Sequence, residues 1–278
     1  MAGFAGWNFF TNSAYIFNTQ GVNILINLFF GVTVNAARGI ATQVDHAIMH
    51  LVNSFTTALN PQITKNYATG NKEALFLLVC RGAKFSYLLL FLFALPILME
   101  AEYVLTIWLK LVPKHAVNFV RLAIIGSLVN IVGKTGYTAS MATGNIRQYV
   151  LWVTSVGCLV FPVTWIVFSL GAPSESTYIV FIIVYIAVEC VRLWIMKGLL
   201  DFPVMMFVRE VIAKIMLVTA LSVPFPLVSV SLFPSSLCRL FVTTAISVVV
   251  FSFFTCWIGL TQGERSFLFG FIKDKLKR

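Results

Sequence analysis

Apolar residues run along this chain in long blocks separated by short polar stretches. A helix rises 1.5 Å per residue, so about 20 apolar residues cross the hydrocarbon core of a bilayer. Eight segments reach that length once tilt is allowed: 4–30, 35–59, 78–98, 116–142, 149–169, 178–199, 208–229 and 237–260. The first two are the most polar; the third and the last four are rich in Leu, Ile, Val and Phe. A shorter stretch over 102–109, with Trp108, reads as an interfacial helix in the headgroup region after the third span. The expected fold class is therefore all-α, a polytopic membrane helix bundle of about eight transmembrane helices. Pro96, Pro162, Pro224 and Pro226 fall inside or near the ends of spans, where a bundle absorbs the missing hydrogen bond as a kink.

The polar positions inside the first two spans are also patterned. Gln43, His46, His50, Asn53, Thr57 and Asn60 recur at alternating spacings of three and four, which keeps them on one helix face about 25 Å long. Such a face either lines a water-filled cavity or bonds to a neighbouring helix. Its length favours the cavity, because helix–helix bonding needs only one or two such residues. Asn8, Asn12, Tyr15, Thr19, Asn23 and Asn27 follow a looser version of the same period in the first span, and Gly21 beside Gln20 allows a bend there. Two neighbouring helices with polar faces most simply share one lumen.

The fourth span aligns Asn130, Lys134, Tyr137 and Met141 on one face. A cation as deep as Lys134 needs water or an anionic partner. It either meets a phosphate of a cargo or pairs with Asp45 or a carbonyl. Arg38 and Arg121, near the outer ends of their spans, can snorkel to the interface. Glu189 and Arg192, three apart, and Glu210 and Lys214, four apart, read as intrahelical pairs near the cytoplasmic face.

Composition agrees with the pattern. The chain is 59% hydrophobic and only 11% charged, against about 25% charged for a soluble domain. Mean hydropathy is +0.91. The net charge of +10 would point to nucleic acid in a soluble protein, but no basic patch interleaves with aromatics, so no nucleic-acid partner is expected. The basic residues instead sit mostly between spans or at their ends: Lys65, Lys72, Arg81 and Lys84 in the loop 60–77 and its continuation; Arg147; Lys197 and Arg209; and Arg265, Lys273, Lys275, Lys277 and Arg278 in the tail. Loops 171–176 and 231–236 carry none, and 99–115 balances Lys110 and Lys114 with Glu100 and Glu102. With eight spans every basic loop falls on one side, which places both termini in the cytoplasm.

Little in the sequence suggests an enzyme. The five cysteines are scattered in apolar runs and form no disulfide framework or metal knuckle. His46 and His50 have the spacing of a zincin pair, but Ala47 replaces the required Glu and no third ligand is evident. No nucleophile motif, phosphate loop or paired carboxylates occur, so neither catalysis, a metal nor a cofactor is expected.

The runs NAARGIATQV (35–44) and NSFTTALNPQITKNYATGN (53–71) resemble the Wzx-type oligosaccharide (O-antigen) flippases of Bacteroidota. Those belong to the multidrug/oligosaccharidyl-lipid/polysaccharide superfamily, with the MATE exporters and the lipid II flippase. FAGWNFF (4–10), QGVNILINLFFG (20–31), LTIWL (105–109) and ATGNIRQY (142–149) fit the same pattern; beyond residue 150 the likeness is one of hydropathy and spacing. Family members have two lobes, and this chain resembles the C-terminal lobe (1–199) plus two trailing helices (200–260) and a basic cytoplasmic tail (261–278). The resemblance implies a multi-pass protein of the bacterial inner membrane. It would move an undecaprenyl-pyrophosphate-linked oligosaccharide from the cytoplasmic to the outer leaflet for surface polysaccharide synthesis. The partners implied are the lipid-linked oligosaccharide, membrane lipid and a missing N-terminal lobe.

Arg38 and Lys134 would attract the pyrophosphate. Gln43, His46, His50, Asn53 and Asn60 would bond sugar hydroxyls, Asn23, Asn27 and Asn130 would complete the lining, and Asp45 would couple an ion or proton. Arg38, Gln43, Asn53 and Asn60 sit in matching motif; His46, His50 and Lys134 rest on periodicity alone. A MATE-like ion-coupled exporter half and a non-transporting remnant are the competing readings. The amide-rich stripe favours sugar over drugs.

Overall fold

The apolar blocks fold as helices because a chain surrounded by lipid satisfies its backbone groups within each segment. The computed structural model describes residues 2–266; the side chains of residues 2–8, 10 and 146 are also outside the description. Among the described residues there are helices and no strands. The helices are α1 (Ala2–Phe30), α2 (Val32–Ala68), α3 (Lys72–Leu109), α4 (Ala116–Ile131), α5 (Lys134–Ala142), α6 (Arg147–Ser169), α7 (Ser176–Leu200), α8 (Val204–Leu232) and α9 (Leu237–Gly259).

Six helical stretches are long and apolar enough to cross a membrane: α3, α4 with α5, α6, α7, α8 and α9. This is a multi-pass helical membrane protein. The expected total of eight is not reached on apolarity, since α1 and α2, at 29 and 37 residues, have the length but carry too many polar residues.

The bundle is built around α2, α3 and α4, which pack on one another, with α5 against α2 and α7 against α4. Their shared core is apolar and tight, with Phe91, Phe119, Leu95 and Ile63 fully buried. A second cluster joins α1, α6 and α7 through Ile26, Val160, Phe168 and Val184. Helices α8 and α9 form a hairpin that leans on α3. Gly21 does not bend α1. A Cβ there would lie 2.5 Å from the Phe161 ring, so the glycine serves close packing of α1 on α6.

Ion pairs between distant loops show which ends of the helices share a side. Lys72 at the start of α3 meets Asp201 after α7 at 2.8 Å. Glu264, just beyond α9, meets Arg81 at 3.1 Å and Lys84 at 2.7 Å. At the other end, His115 before α4 meets Glu175 before α7 at 2.6 Å. The loops thus segregate into the two sets that the basic residues predict.

Several local expectations change. Residues 102–109 are not a separate interfacial helix; they continue α3 past a kink at Glu100, whose φ of −105° and ψ of 22° leave the helical region. Glu100 is not a loop charge. It is buried within α3, bonded by Arg239 at 2.7 Å and Thr243 at 3.0 Å from α9. Lys84, read as part of a basic loop, is 2% exposed in α3. Arg121 donates to the Leu98 carbonyl at 3.1 Å instead of reaching out to the interface. Of the basic tail, Arg265 is described and donates to the Trp257 carbonyl, while Lys273, Lys275, Lys277 and Arg278 lie outside the described residues.

Candidate functional site

The polar face of α2 divides into two environments. Asn53 accepts a hydrogen bond from Lys134, and Asn60 accepts one from Thr138 at 2.9 Å, both from α5. Further along, Arg38 donates to Asn23 of α1, and Asn23 donates to Gln20 at 3.1 Å. Gln43, His46 and His50 lie between these links and are exposed, as is Asn27 on α1. The stripe is thus helix-to-helix bonding at Asn53 and Asn60 and an open polar surface between.

The two cations on this surface have neutral partners. Lys134 and Arg38 are held by amide oxygens, and neither forms an ion pair among the described residues. Of the protein partners expected for Lys134, Asp45 gives way to a side-chain carbonyl. Asp45, on α2, is half-buried and forms no ion pair among the described residues. The face keeps a positive excess, two cations against one carboxylate.

A second polar centre lies deeper, where α4 gives way to α5. The helix breaks at Val132 and Gly133, whereas the sequence predicts one continuous span over 116–142. Arg192 and Glu189 of α7 pack directly on this break. Their side chains pair at 2.5 Å, and the Arg192 Nε donates to the Tyr149 hydroxyl at 2.6 Å. A Cβ at Gly133 would lie 2.5 Å from Glu189 Cδ and closer still to the paired Arg192 Nη1 and Glu189 Oε2. Only a hydrogen on Gly133 lets the pair approach the backbone so closely.

Arg192 forms part of the wall of a partly open cavity of about 230 Å³ between α1, α5, α6 and α7, with the end of α4 reaching it through Asn130. Tyr15, Tyr137, Tyr149 and Tyr185 line it with Asn18 and Asn130. The Tyr137 and Tyr149 rings meet edge to face at 5.5 Å. Asn18 donates through Nδ2 to the Gly157 carbonyl at 3.0 Å, but its Oδ1 is buried with no hydrogen-bond partner among the described residues. A second, larger cavity of about 990 Å³ is lined mostly by apolar side chains of α3, α4, α7 and α8, with Arg121 and Glu189 in its wall.

Comparison with protein-family models, curated proteins and solved structures returns no match. The site is therefore read from its own geometry.

The structure brings Arg38 to Asn23 and Lys134 to Asn53, and it places Asn130 in the tyrosine cavity, apart from the exposed stripe. Gln43, His46 and His50 share a face but touch no other predicted site residue through a hydrogen bond among the described residues. The i,i+3 pairing of Glu189 with Arg192 agrees with the sequence reading; its place in a cavity wall does not follow from that spacing. The available signal was Tyr149 and Tyr185, phenols inside otherwise apolar segments, which find or seek a polar partner when buried. Among the described residues no three His, Cys, Asp or Glu side chains converge as metal ligands.

Proposed function

We propose that this chain is half of a membrane flippase that moves an undecaprenyl-pyrophosphate-linked oligosaccharide between leaflets of the bacterial inner membrane. In this reading α1 and α2 also cross the membrane, which makes eight spans with both termini in the cytoplasm. The observation that carries the reading is the pair of cations on the α1–α2–α5 surface, Arg38 and Lys134, each held by an amide and not by a carboxylate. A fully neutralised cation in a span is structural. One with a neutral partner keeps its charge available, and intramembrane charges of that kind mark substrate paths.

Arg38 and Asn53, the amide that holds Lys134, are 15 residues apart on α2, roughly 22 Å, so a pyrophosphate would meet the two cations in turn along the path and not both at once. The exposed Gln43, His46 and His50 between them supply donors and acceptors for sugar hydroxyls. The polar face would be costly against lipid, so a second lobe covers it and closes the lumen. The apolar cavity beside α8 gives a prenyl chain a place outside that lumen. Rocking of the two lobes then exposes the head group to either side. A MATE-like exporter would be expected to carry an unpaired carboxylate deep in the lumen. Asp45, half-buried on α2, is the candidate for that role, and the amide-rich stripe beside it favours the oligosaccharide.

The test is a leaflet assay in the source cells. Chromosomal Arg38→Ala and Lys134→Ala, at unchanged protein level, should each trap lipid-linked oligosaccharide on the cytoplasmic side and lower surface glycan roughly tenfold. That is the scale of one lost charge-assisted contact of about 1.5–3 kcal/mol. Normal surface glycan in both variants overturns the assignment.

A further inference from the structure

The tyrosine cavity is separate from the cationic surface, and its chemistry is different. Its four tyrosines are half of the chain's eight, gathered from α1, α5, α6 and α7 into one space. Aromatic rings offer flat apolar faces, and their hydroxyls both donate and accept. Asn18 and Asn130 add amide groups at the same wall.

Three observations indicate that the cavity is built for an occupant. The Asn18 Oδ1 is buried and unpaired among the described residues, and a buried acceptor without a partner costs about 1–3 kcal/mol. The Asn130 amide and the Tyr185 hydroxyl have no hydrogen-bond partner among the described residues, although both line the cavity. The wall is also locally neutral, because the Arg192 guanidinium is matched by Glu189 and bonded to Tyr149. A lone anion would compete with Glu189 for the guanidinium, and a lone cation would face that guanidinium. A neutral polyhydroxylated ring meets every feature. Its axial C–H faces stack on tyrosine, and its hydroxyls donate to Asn18 Oδ1 and bond to Asn130 and Tyr185.

The geometry points to a monosaccharide-binding subsite in this cavity, between α1, α5, α6 and α7, with Asn18, Asn130 and Tyr185 as the recognising groups. Its size fits one sugar ring, since about 230 Å³ lies below the ~300 Å³ at which drug-sized pockets begin. The inference deepens the oligosaccharide reading by naming where a sugar residue is held, away from the stripe on α2. The Gly133 break belongs to the same device. It lets the Arg192–Glu189 pair sit against the backbone and fixes Tyr149 in the wall.

The experiment uses the full chain in lipid nanodiscs and underivatised glucose, galactose and N-acetylglucosamine as probes, followed by saturation-transfer difference NMR. At least one sugar should give a saturable signal at millimolar concentration, centred on its ring C–H protons. Asn130→Leu and Tyr185→Phe each remove a group that bonds no described residue, so the fold should survive. Each should weaken binding about fivefold, the worth of one hydrogen bond. Asn18→Leu is a harsher variant because it also loses the bond to Gly157. Met205→Leu, an exposed side chain at the start of α8 with no part in either polar centre, should leave binding unchanged.

Absence of a saturable signal for all three sugars overturns the subsite, as does binding that survives both Asn130→Leu and Tyr185→Phe. The transport reading fails separately. If these sugars bind as expected while Arg38→Ala and Lys134→Ala leave surface glycan normal, the subsite stands and the flippase assignment falls. If surface glycan drops in those variants but no sugar binds, the reverse holds.

Discussion

Gly133→Ala isolates the buried ion pair at the helix break. The glycine has a φ of −87° and a ψ of −2°, a conformation that alanine adopts without strain. On backbone grounds alone, alanine would therefore be favoured by up to about 1 kcal/mol. The added methyl, however, would overlap the ends of Arg192 and Glu189 and lie 2.5 Å from Glu189 Cδ. Free side-chain ends could swing aside. These cannot do so cheaply, because Arg192 is bonded to Glu189 at 2.5 Å and to Tyr149 at 2.6 Å. Overpacking of this kind costs about 1–3 kcal/mol, and outright separation of a buried pair about 3–5 kcal/mol. With the pair forced apart and the favourable backbone effect of up to about 1 kcal/mol subtracted, the net expectation is a destabilisation of roughly 2–4 kcal/mol. Thermal unfolding of detergent-solubilised protein, followed by fluorescence-detected size exclusion, reads it directly. Gly198→Ala, where a Cβ meets nothing within 4 Å, is the control and should be neutral or mildly stabilising. In an Arg192→Leu/Glu189→Ala background the same Gly133→Ala change should lose most of its cost. A Gly133→Ala protein as stable as wild type, or one equally destabilised in that background, would refute the packing argument.

Three further outcomes are expected. Glu264→Gln leaves the nearly buried Lys84 ammonium without its counter-charge and should cost about 3–5 kcal/mol, visible as a lowered melting temperature, with Lys84→Met/Glu264→Leu recovering most of it. Burial pushes the Glu175 carboxyl up, but hydrogen bonds from His115, its own backbone, Ser174 and Asn118 outweigh this and hold it below its ordinary value. Since that folded value is depressed, the stabilisation is complete above the unfolded carboxylate pKa of about 4.3 and lost as pH falls through the lower folded one; Glu175→Gln should flatten that part of a melting-temperature profile, and an unaltered profile would count against the latch. Single cysteines replacing His46 and His50 should react with a membrane-impermeant maleimide, whereas cysteines replacing the buried Ile48 and Val52 should not; equal labelling at all four positions would remove the water-facing surface.

The helices were legible because hydropathy windows and a bilayer's thickness answer the same question, so the eight predicted segments each coincide with a helical stretch. Their ends were not. Charges at Arg81, Lys84 and Glu100 suggested loop, but each is carried inside α3 by a partner from far along the chain, Glu264 or Arg239. A partner about 140 or more residues away leaves no local trace. The stripe on α2 was legible as one face because spacings of three and four follow from the helical repeat. What covers each part of that face was not, since Asn53 and Asn60 meet α5 while Gln43, His46 and His50 meet nothing comparable. The break before α5 hid for a different reason: glycine is common within membrane helices, so Gly133 carries little information until Arg192 is seen against it.

In the proposed reading the two polar centres divide the work of recognition along chemical lines. The α1–α2–α5 surface holds cations whose charge is left unmatched by amide partners, which suits an anionic group. The tyrosine cavity holds a cation whose charge is matched, which leaves only neutral hydrogen bonding and ring faces on offer. A cargo that combines a diphosphate with a sugar satisfies both centres at once, whereas a drug-like cation satisfies neither. Arg192 therefore separates the two readings most sharply. If the cavity served the diphosphate, Glu189→Gln would strengthen its hold by freeing the guanidinium. If it serves a neutral ring, the same change leaves sugar affinity nearly constant and is felt only in stability, through the loss of a buried pair. Measuring pyrophosphate affinity, sugar affinity and melting temperature on that one variant decides between them.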